Sequence, residues 1–468
     1  MEKKKEYTFI DLFAGLGGFH YALHKLGHKC VFASELREDL QKLYKQNFPD
    51  TPRIEGDITK IDLKSIPHHD ILCAGFPCQP FSQAGKRMGF DDEEGRGNMF
   101  NYICKIIQLQ KNKPIILLLE NVANLRGHDD GNTWRIIQEK LDKLGYSVRG
   151  EILSPHQFGI PQHRKRFYIV GLRKDKGDLD FFQFPIGHQE TECDIKQIID
   201  ESDTNVQPLK LETIQQIKVW QEFVDMVVKH KDVIPSFPIW AMEFGADYDF
   251  KVCAPKYQKY EDLKGKHGNF GQIIDGKTID ECIKQLPIYS QTGKKEIFPH
   301  WKIRYIEQNR LFYQSHKKWL DKWLLNIRDW NNSHQKFEWN CGDSDKNLRN
   351  KIIQFRPSGI RVKLPTFSPA LNLVGTQIPI IPWVKLPKEC IPHYSKEELM
   401  EYGLKQSDVL YGRYLTVREA AKLQGMGELD FNGMTTVRIY EALGNAVNTQ
   451  VVEKIASKIL NHYNHGSN

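Results

Sequence analysis

Between residues 7 and 173 short apolar runs recur, each followed by small, polar or charged residues. Residues 7–13 (YTFIDLF), 30–34 (CVFAS), 69–74 (HDILCA), 114–119 (PIILLL) and 166–172 (RFYIVGL) are such runs. Several are near-continuous rather than alternating, as strands covered on both faces are. Helical spacing appears between them, as at Leu23 and Leu26 in 19–26. Strands alternating with helices confine the chain to an α/β fold with a doubly wound sheet. Ligands of such sheets bind beyond the carboxyl ends of the strands, so chemistry is expected in the residues that follow each run.

The first run leads into Asp11-Leu12-Phe13-Ala14-Gly15-Leu16-Gly17-Gly18. Small residues between a strand and a helix permit a tight turn and close approach of a ligand to the backbone. Glu35, 20 residues after Gly15, follows the second run, where a carboxylate can bind ribose hydroxyls. Gly56-Asp57 ends the next section. A nicotinamide cofactor would suit a glycine loop and an acidic residue too, although the turn is not a full GxGxxG.

HDILCA runs directly into Gly75-Phe76-Pro77-Cys78-Gln79-Pro80-Phe81-Ser82. Most cysteines in a globular chain are inert buried side chains, and Cys73, inside the strand, fits that description. Cys78 lies beyond the strand, between Pro77 and Pro80, at the edge where a ligand is expected. Residues 83–98 carry Gly85, Gly89, Gly95 and Gly97 and read as a closing lid. Leu119-Glu120-Asn121-Val122 puts a carboxylate at the same edge, where a glutamate is as often a surface cap. Alternation along 160–166 (IPQHRKR) would set Gln162, Arg164 and Arg166 on one face.

A chain of 468 residues exceeds what one core usually serves, so two domains are expected. The net charge of +7 leans towards a polyanionic partner such as nucleic acid. Nine cysteines without a CxxC pair give a metal no support. With no leader pattern and no long apolar run, a cytoplasmic protein with no membrane partner is expected. After about residue 174 the alternation fades, and seven of the nine tryptophans fall between Trp220 and Trp339. Residues 294–330 hold nine Lys/Arg against four Asp/Glu, interleaved with Trp301, Tyr305, Phe312, Tyr313, Trp319 and Trp323. That stretch is either a solvated basic face over an aromatic core or a nucleic-acid surface, with basic groups on phosphates and aromatics on bases. From about residue 356 a third segment begins, with a helix starting near Thr416 and residues 440–459 helical in part. It is too short to fold alone and should dock on another part.

Taken in order, DLFAGLGGF, GFPCQPFS, ENV, QHRKR, YLTVREAAKLQGM and GNAVNTQVV resemble the signature blocks of the DNA cytosine-5 methyltransferases. The blocks cover about 1–173 and 356–455, and PCQ, ENV and QxRxR together are highly specific. The resemblance implies a Rossmann-like S-adenosylmethionine-dependent methyltransferase domain with a second, smaller target-recognition domain. It assigns 1–174 to catalysis and 175–355 to target recognition, with 356–468 returning to complete the catalytic domain. Asp11, Phe13, Ala14, Gly15, Gly17, Gly18, Glu35, Leu36, Asp57, Ile58 and Pro77 would hold S-adenosylmethionine, with Glu35 on the ribose and Asp57 at the adenine. Asn445 and Val447 would close that pocket. Leu36 departs from the pattern, since many members have an aromatic there.

Cys78 would be the nucleophile and Glu120 the acid near cytosine N3, with Arg164, Gln162 and Arg166 beside the base. Gln79, Ser82, Arg96 of the lid and Arg418 at the hinge would meet DNA. The implied partner is double-stranded DNA, with a restriction endonuclease acting separately, a monomeric enzyme and no metal. The alternatives are a tRNA cytosine-5 methyltransferase and an inactive DNA-binding regulator. The relatives that modify tRNA lack a large recognition insert, and intact Cys78, Glu120 and Arg164 argue against the regulator.

Overall fold

A computed structural model describes residues 5–77, 99–187, 193–293, 295–371 and 377–465. Cys78, Gln79, Ser82 and Arg96, with the expected lid 83–98, lie outside the described residues. The chain forms two compact units: residues 1–200, 366–375 and 416–468, and residues 201–365 and 376–415.

Up to Asp200 the described strands of the first unit are β1 (Thr8–Leu12), β2 (Lys29–Ser34), β3 (Ile54–Glu55), β4 (Ile71–Gly75), β5 (Ile116–Val122), β6 (Tyr146–Leu153), β7 (Gln162–His163) and β8 (Arg166–Arg173). Seven of them make one sheet in the order β3-β2-β1-β4-β5-β8-β6. β1 is parallel to β2 and β4, and β4 to β5, whereas β8 runs antiparallel to both neighbours. The strand order reverses between β1 and β4, and that switch point opens a crevice at the carboxyl ends.

The continuous apolar runs have a simple cause. Ile71 and Cys73 of β4, with Ile116 and Leu118 of β5, face one apolar layer. Leu72, Ala74, Leu117 and Leu119 face the other. The first layer is closed by α1 (Gly18–Lys25) and the C-terminal helix Thr449–His465. That last helix presents Val451, Val452, Ile455, Ala456 and Ile459, a helical stripe. The second layer is closed by α3 (Met99–Leu109) and α4 (Asn132–Lys143), while α2 (Glu38–Asn47) follows β2. Burying each such Ile or Leu contributes about 1.5–3 kcal/mol.

The second unit has a six-stranded sheet in the order Tyr411–Tyr414, Ile380–Lys385, Ile352–Arg356, Gly359–Lys363, Lys336–Asn340, Ile239–Trp240. Its core is aromatic. Trp220, on helix Leu211–Lys229, stacks on Phe337 at 4.6 Å between ring centres. Phe312, Tyr313, Trp319 and Trp323, on helix His300–Trp323, are buried. These four aromatics are therefore core and not a surface for bases, while Trp301 is 51% exposed.

The observed boundaries differ from 174 and 356. Leu179 and Phe182 join the apolar layer of the first unit, so the chain leaves it only after Asp200. Ile353 pairs with Ile380 in the sheet of the second unit, which draws 376–415 there.

Candidate active site

At Leu12 β1 ends and the chain turns at once. Phe13 and Gly15 both have φ of 55°, the left-handed region that favours glycine. A Cβ added at Gly15 would meet nothing within 4 Å, so backbone faces open space there. Glu35 secures the turn from the end of β2. Its Oε2 accepts from the Gly15 N–H at 2.8 Å and its Oε1 from the Arg37 N–H at 3.0 Å. Each oxygen keeps a lone pair for a hydroxyl donor.

Asp11 is placed differently from expectation. Its carboxylate is fully buried, outside the cavity lining, and accepts from the His20 N–H at 3.3 Å and the Tyr44 hydroxyl at 3.5 Å. Burial pushes the Asp11 carboxyl well above the usual range and His20 down to about 3. Asp11 supports the turn from behind. Gly17 and Gly18 are also outside the lining. Gly18 admits the C-terminal segment: a Cβ there would come 2.5 Å from Val447 Cγ2.

The carboxyl ends enclose a cavity of about 1070 Å³ among the described residues. Phe13, Ala14, Gly15, Glu35, Leu36, Asp57, Ile58 and Pro77 line it, with Asn445 and Val447 from the C-terminal segment. Glu120, Arg164 and Arg166 line the same cavity. Leu36 is 69% exposed. Asp57 accepts from the Thr59 N–H at 3.0 Å and hydroxyl at 2.8 Å, and the N–H bond is the largest cause holding its carboxyl below the usual range.

Glu120 ends the apolar stretch of β5 and is buried. Arg166 Nε lies 3.1 Å from its Oε1. Burial raises the Glu120 carboxyl, opposed by the charges of Arg166 and then Arg164. Asn121, the next residue, donates from Nδ2 to the Phe76 carbonyl at 3.0 Å, which ties β5 to the segment leading to Cys78.

Arg164 is buried and braces the C-terminal segment: its Nη2 donates to the carbonyls of Gly444 and Ala446, each at 2.9 Å. Among the described residues its Nε and Nη1 are buried without a hydrogen-bond partner. Burial lowers its guanidinium to about 9. A cation with unpaired donors beside a cavity awaits an acceptor. Gln162 lies outside the lining, and its Oε1 accepts from Gln424 Nε2 at 3.2 Å. Arg418, expected at the DNA, is exposed and donates from Nη1 to the carbonyls of Gly427 and Leu429, which braces that loop. Among the described residues no cluster of three His, Cys, Asp or Glu could hold a metal.

Arg37, Asn124, Ala370, Leu371 and Ala442 also line the cavity and were not anticipated. Ala370 and Leu371 belong to 366–375, a ten-residue piece of the first unit between two stretches of the second. The pairing of Ser368 with Gln162 and Pro369 with His163 of β7 holds it there. Its one sequence signal is Pro369, too slight to use.

The Type II methyltransferase M.DsaV of Dactylococcopsis salina is 48% identical over 183 residues, 39% of this chain and 50% of that protein. The Type II methyltransferase M.HhaI of Haemophilus parahaemolyticus is 45% identical over 186 residues, 39% of this chain and 55% of that one. The chain spans about half the length of the curated relatives it matches. The Entamoeba histolytica methyltransferase EhMeth shares the fold, with a TM-score of 0.51 and 15% identity over 98% of this chain and 99% of that one. The model of the family described as C-5 cytosine-specific DNA methylase matches residues 7–461. The chain belongs to the C-5 cytosine-specific DNA methylase family.

Proposed function

We propose that this protein transfers a methyl group from S-adenosylmethionine to C5 of a cytosine flipped out of double-stranded DNA. One observation carries the reading: the cavity lined by Gly15 and Glu35 is also lined by Glu120 and Arg164. A carboxylate for ribose hydroxyls and a buried carboxyl for a base thus share one space.

The residues fit the cofactor. Its volume of about 1070 Å³ suffices for a nucleoside with an amino-acid tail. Glu35 offers lone pairs to hydroxyls, Gly15 leaves backbone open, and Phe13 and Leu36 offer apolar surface to an adenine. Asp57, Ile58, Asn445 and Val447 complete the holding set. S-adenosylmethionine, when bound, supplies an electrophilic methyl group.

Cytosine C5 is a weak nucleophile, and the chain's own residues make it a better one. The thiolate of Cys78 attacks C6 and a sulfur–carbon bond forms, so the ring becomes an enamine with electron density at C5. Glu120, whose carboxyl is raised by burial, gives a proton to N3 so that negative charge does not build up. The unpaired N–H groups of Arg164 hold the base by an oxygen acceptor, and Arg166 keeps Glu120 in place. After C5 is alkylated, loss of its proton to a base expels Cys78. Asn121 fixes the approach to Cys78 through the Phe76 carbonyl. Flipping the cytosine costs a few kcal/mol, which contacts to protein offset.

The second unit is assigned to target recognition. The protein acts as a cytoplasmic monomer in DNA modification, with a restriction endonuclease as a separate partner; the Type II names of its relatives support that role. Incubation with labelled S-adenosylmethionine and either duplex DNA or tRNA tests the reading. Label should enter DNA. Label in tRNA alone would overturn the reading, and DNA binding without transfer would make the protein a regulator.

A further inference from the structure

The basic, aromatic stretch 294–330 separates in the structure into groups with different surroundings. Arg310 is internal: its Nε lies 2.9 Å from Glu243 Oε2, and its Nη1 donates to the Tyr248 carbonyl at 2.8 Å. Lys317 donates to the Tyr313 hydroxyl at 2.8 Å and lies 3.3 Å from Asp321. Lys302 has no such partner among the described residues. Its Nζ lies 4.3 Å from the ring centre of Phe298 and 5.0 Å from that of Tyr289. Lys336, on strand Lys336–Asn340, brings its Nζ to 6.0 Å from the same Tyr289 ring and 5.7 Å from Trp240.

Two ammonium groups therefore converge on one aromatic floor. Among the described residues neither has an ion-pair partner. Glu338, two residues along from Lys336, is taken by Arg356 at 2.7 Å and Arg361 at 2.9 Å. Both lysines are partly buried, which lowers their basicity, and the charge of Lys302 lowers Lys336 further. The rings offset part of this through cation–π attraction. Like charges brought together without a counter-ion still cost the folded state, and an anion between them would relieve it.

We propose that Lys302 and Lys336 grip one backbone phosphate of the DNA duplex over the floor formed by Trp240, Tyr289 and Phe298. Compact point charges suit a phosphate and carry no sequence information, so the pair sets position on the duplex rather than choice of base. The inference rests on the reading of the protein as a DNA methyltransferase and narrows its electrostatic contact from a basic stretch to two side chains, one of them outside that stretch.

Binding of the full chain to a fluorescent duplex is measured over a range of salt concentrations. K302Q/K336Q should reduce the slope of log affinity against log salt by about 0.9, the value for one phosphate. Affinity should fall on the order of tenfold at about 0.1 M salt. K317Q should leave the slope unchanged, because its charge is already paired. The thermal midpoint of K302Q/K336Q should equal or exceed that of the wild type, since it loses a repulsion. An unchanged slope in the double variant, or an equal loss in K317Q, overturns the proposal. A wild-type protein that methylates DNA while the slopes agree refutes only the phosphate grip; one that methylates no DNA refutes the functional reading and the grip with it.

Discussion

Two carboxyl groups of the first unit are buried for different ends. Glu120 faces the cavity with Arg166 and Arg164 near it, and burial outweighs their charges, so its carboxyl stays raised. An amide in its place fills the same space but cannot supply a proton. Glu120→Gln should slow methyl transfer by about 10²–10⁴-fold, the usual contribution of a general acid. Cofactor binding, measured by calorimetry, should change little; a rate within threefold of wild type would make Glu120 a mere strand cap. Asp11 is raised further, chiefly by burial and also by the charge of Glu35. Its folded pKa lies above its unfolded one, so the stability it contributes below the unfolded pKa is lost as pH rises through the folded pKa. Asp11→Asn should therefore gain stability relative to wild type with rising pH and lose that gain in acid. Denaturant midpoints across pH would read this, and a constant difference would count against it.

Helices and strands decide how the site closes. Gly18 opens α1 beneath Val447, and a Cβ there meets the valine side chain, Met426 and the Val447 carbonyl. Overpacking of this kind costs about 1–3 kcal/mol, so Gly18→Ala should weaken S-adenosylmethionine binding by roughly tenfold. Adding Val447→Ala should restore part of the loss; equal affinity in Gly18→Ala and wild type would show that the contact is slack. The five apolar runs marked five central strands within three residues at either end, because burial on both faces leaves no polar alternation to confuse the pattern. β6 escaped notice since YSVRGEIL is polar at alternate positions and lies at the sheet edge, next to β8 only. The region 440–459 proved to be two helices, Thr436–Asn445 and Thr449–His465, parted where Gly444 and Ala446 give their carbonyls to Arg164. No periodicity announces a bond between residues 280 positions apart.

For the molecule as a whole, motif order was legible and division into units was not. Glu35, Glu120 and Arg164 could be named from strand ends and blocks, since the switch point of a doubly wound sheet gathers such ends. Ala370 and Leu371 could not, because the chain passes between the units four times without a change of composition. The tryptophan-rich middle gave two readings, and the structure divides them: Trp319 and Trp323 are core, while Trp301 is exposed. The proposed chemistry turns on a thiolate of Cys78 adding to a cytosine ring beside Glu120. The most direct measurement uses duplex DNA with 5-fluorocytosine at the methylated position. Fluorine cannot leave C5 as a positive ion, so after methylation the sulfur–carbon bond cannot be undone. With S-adenosylmethionine the protein should shift on a denaturing gel as a covalent adduct, and the modified peptide should contain Pro77-Cys78-Gln79. Without the cofactor, or in Cys78→Ser, no stable adduct should form. An adduct at Cys73 or Cys104, or none on a substrate whose unfluorinated form is methylated, would contradict the account.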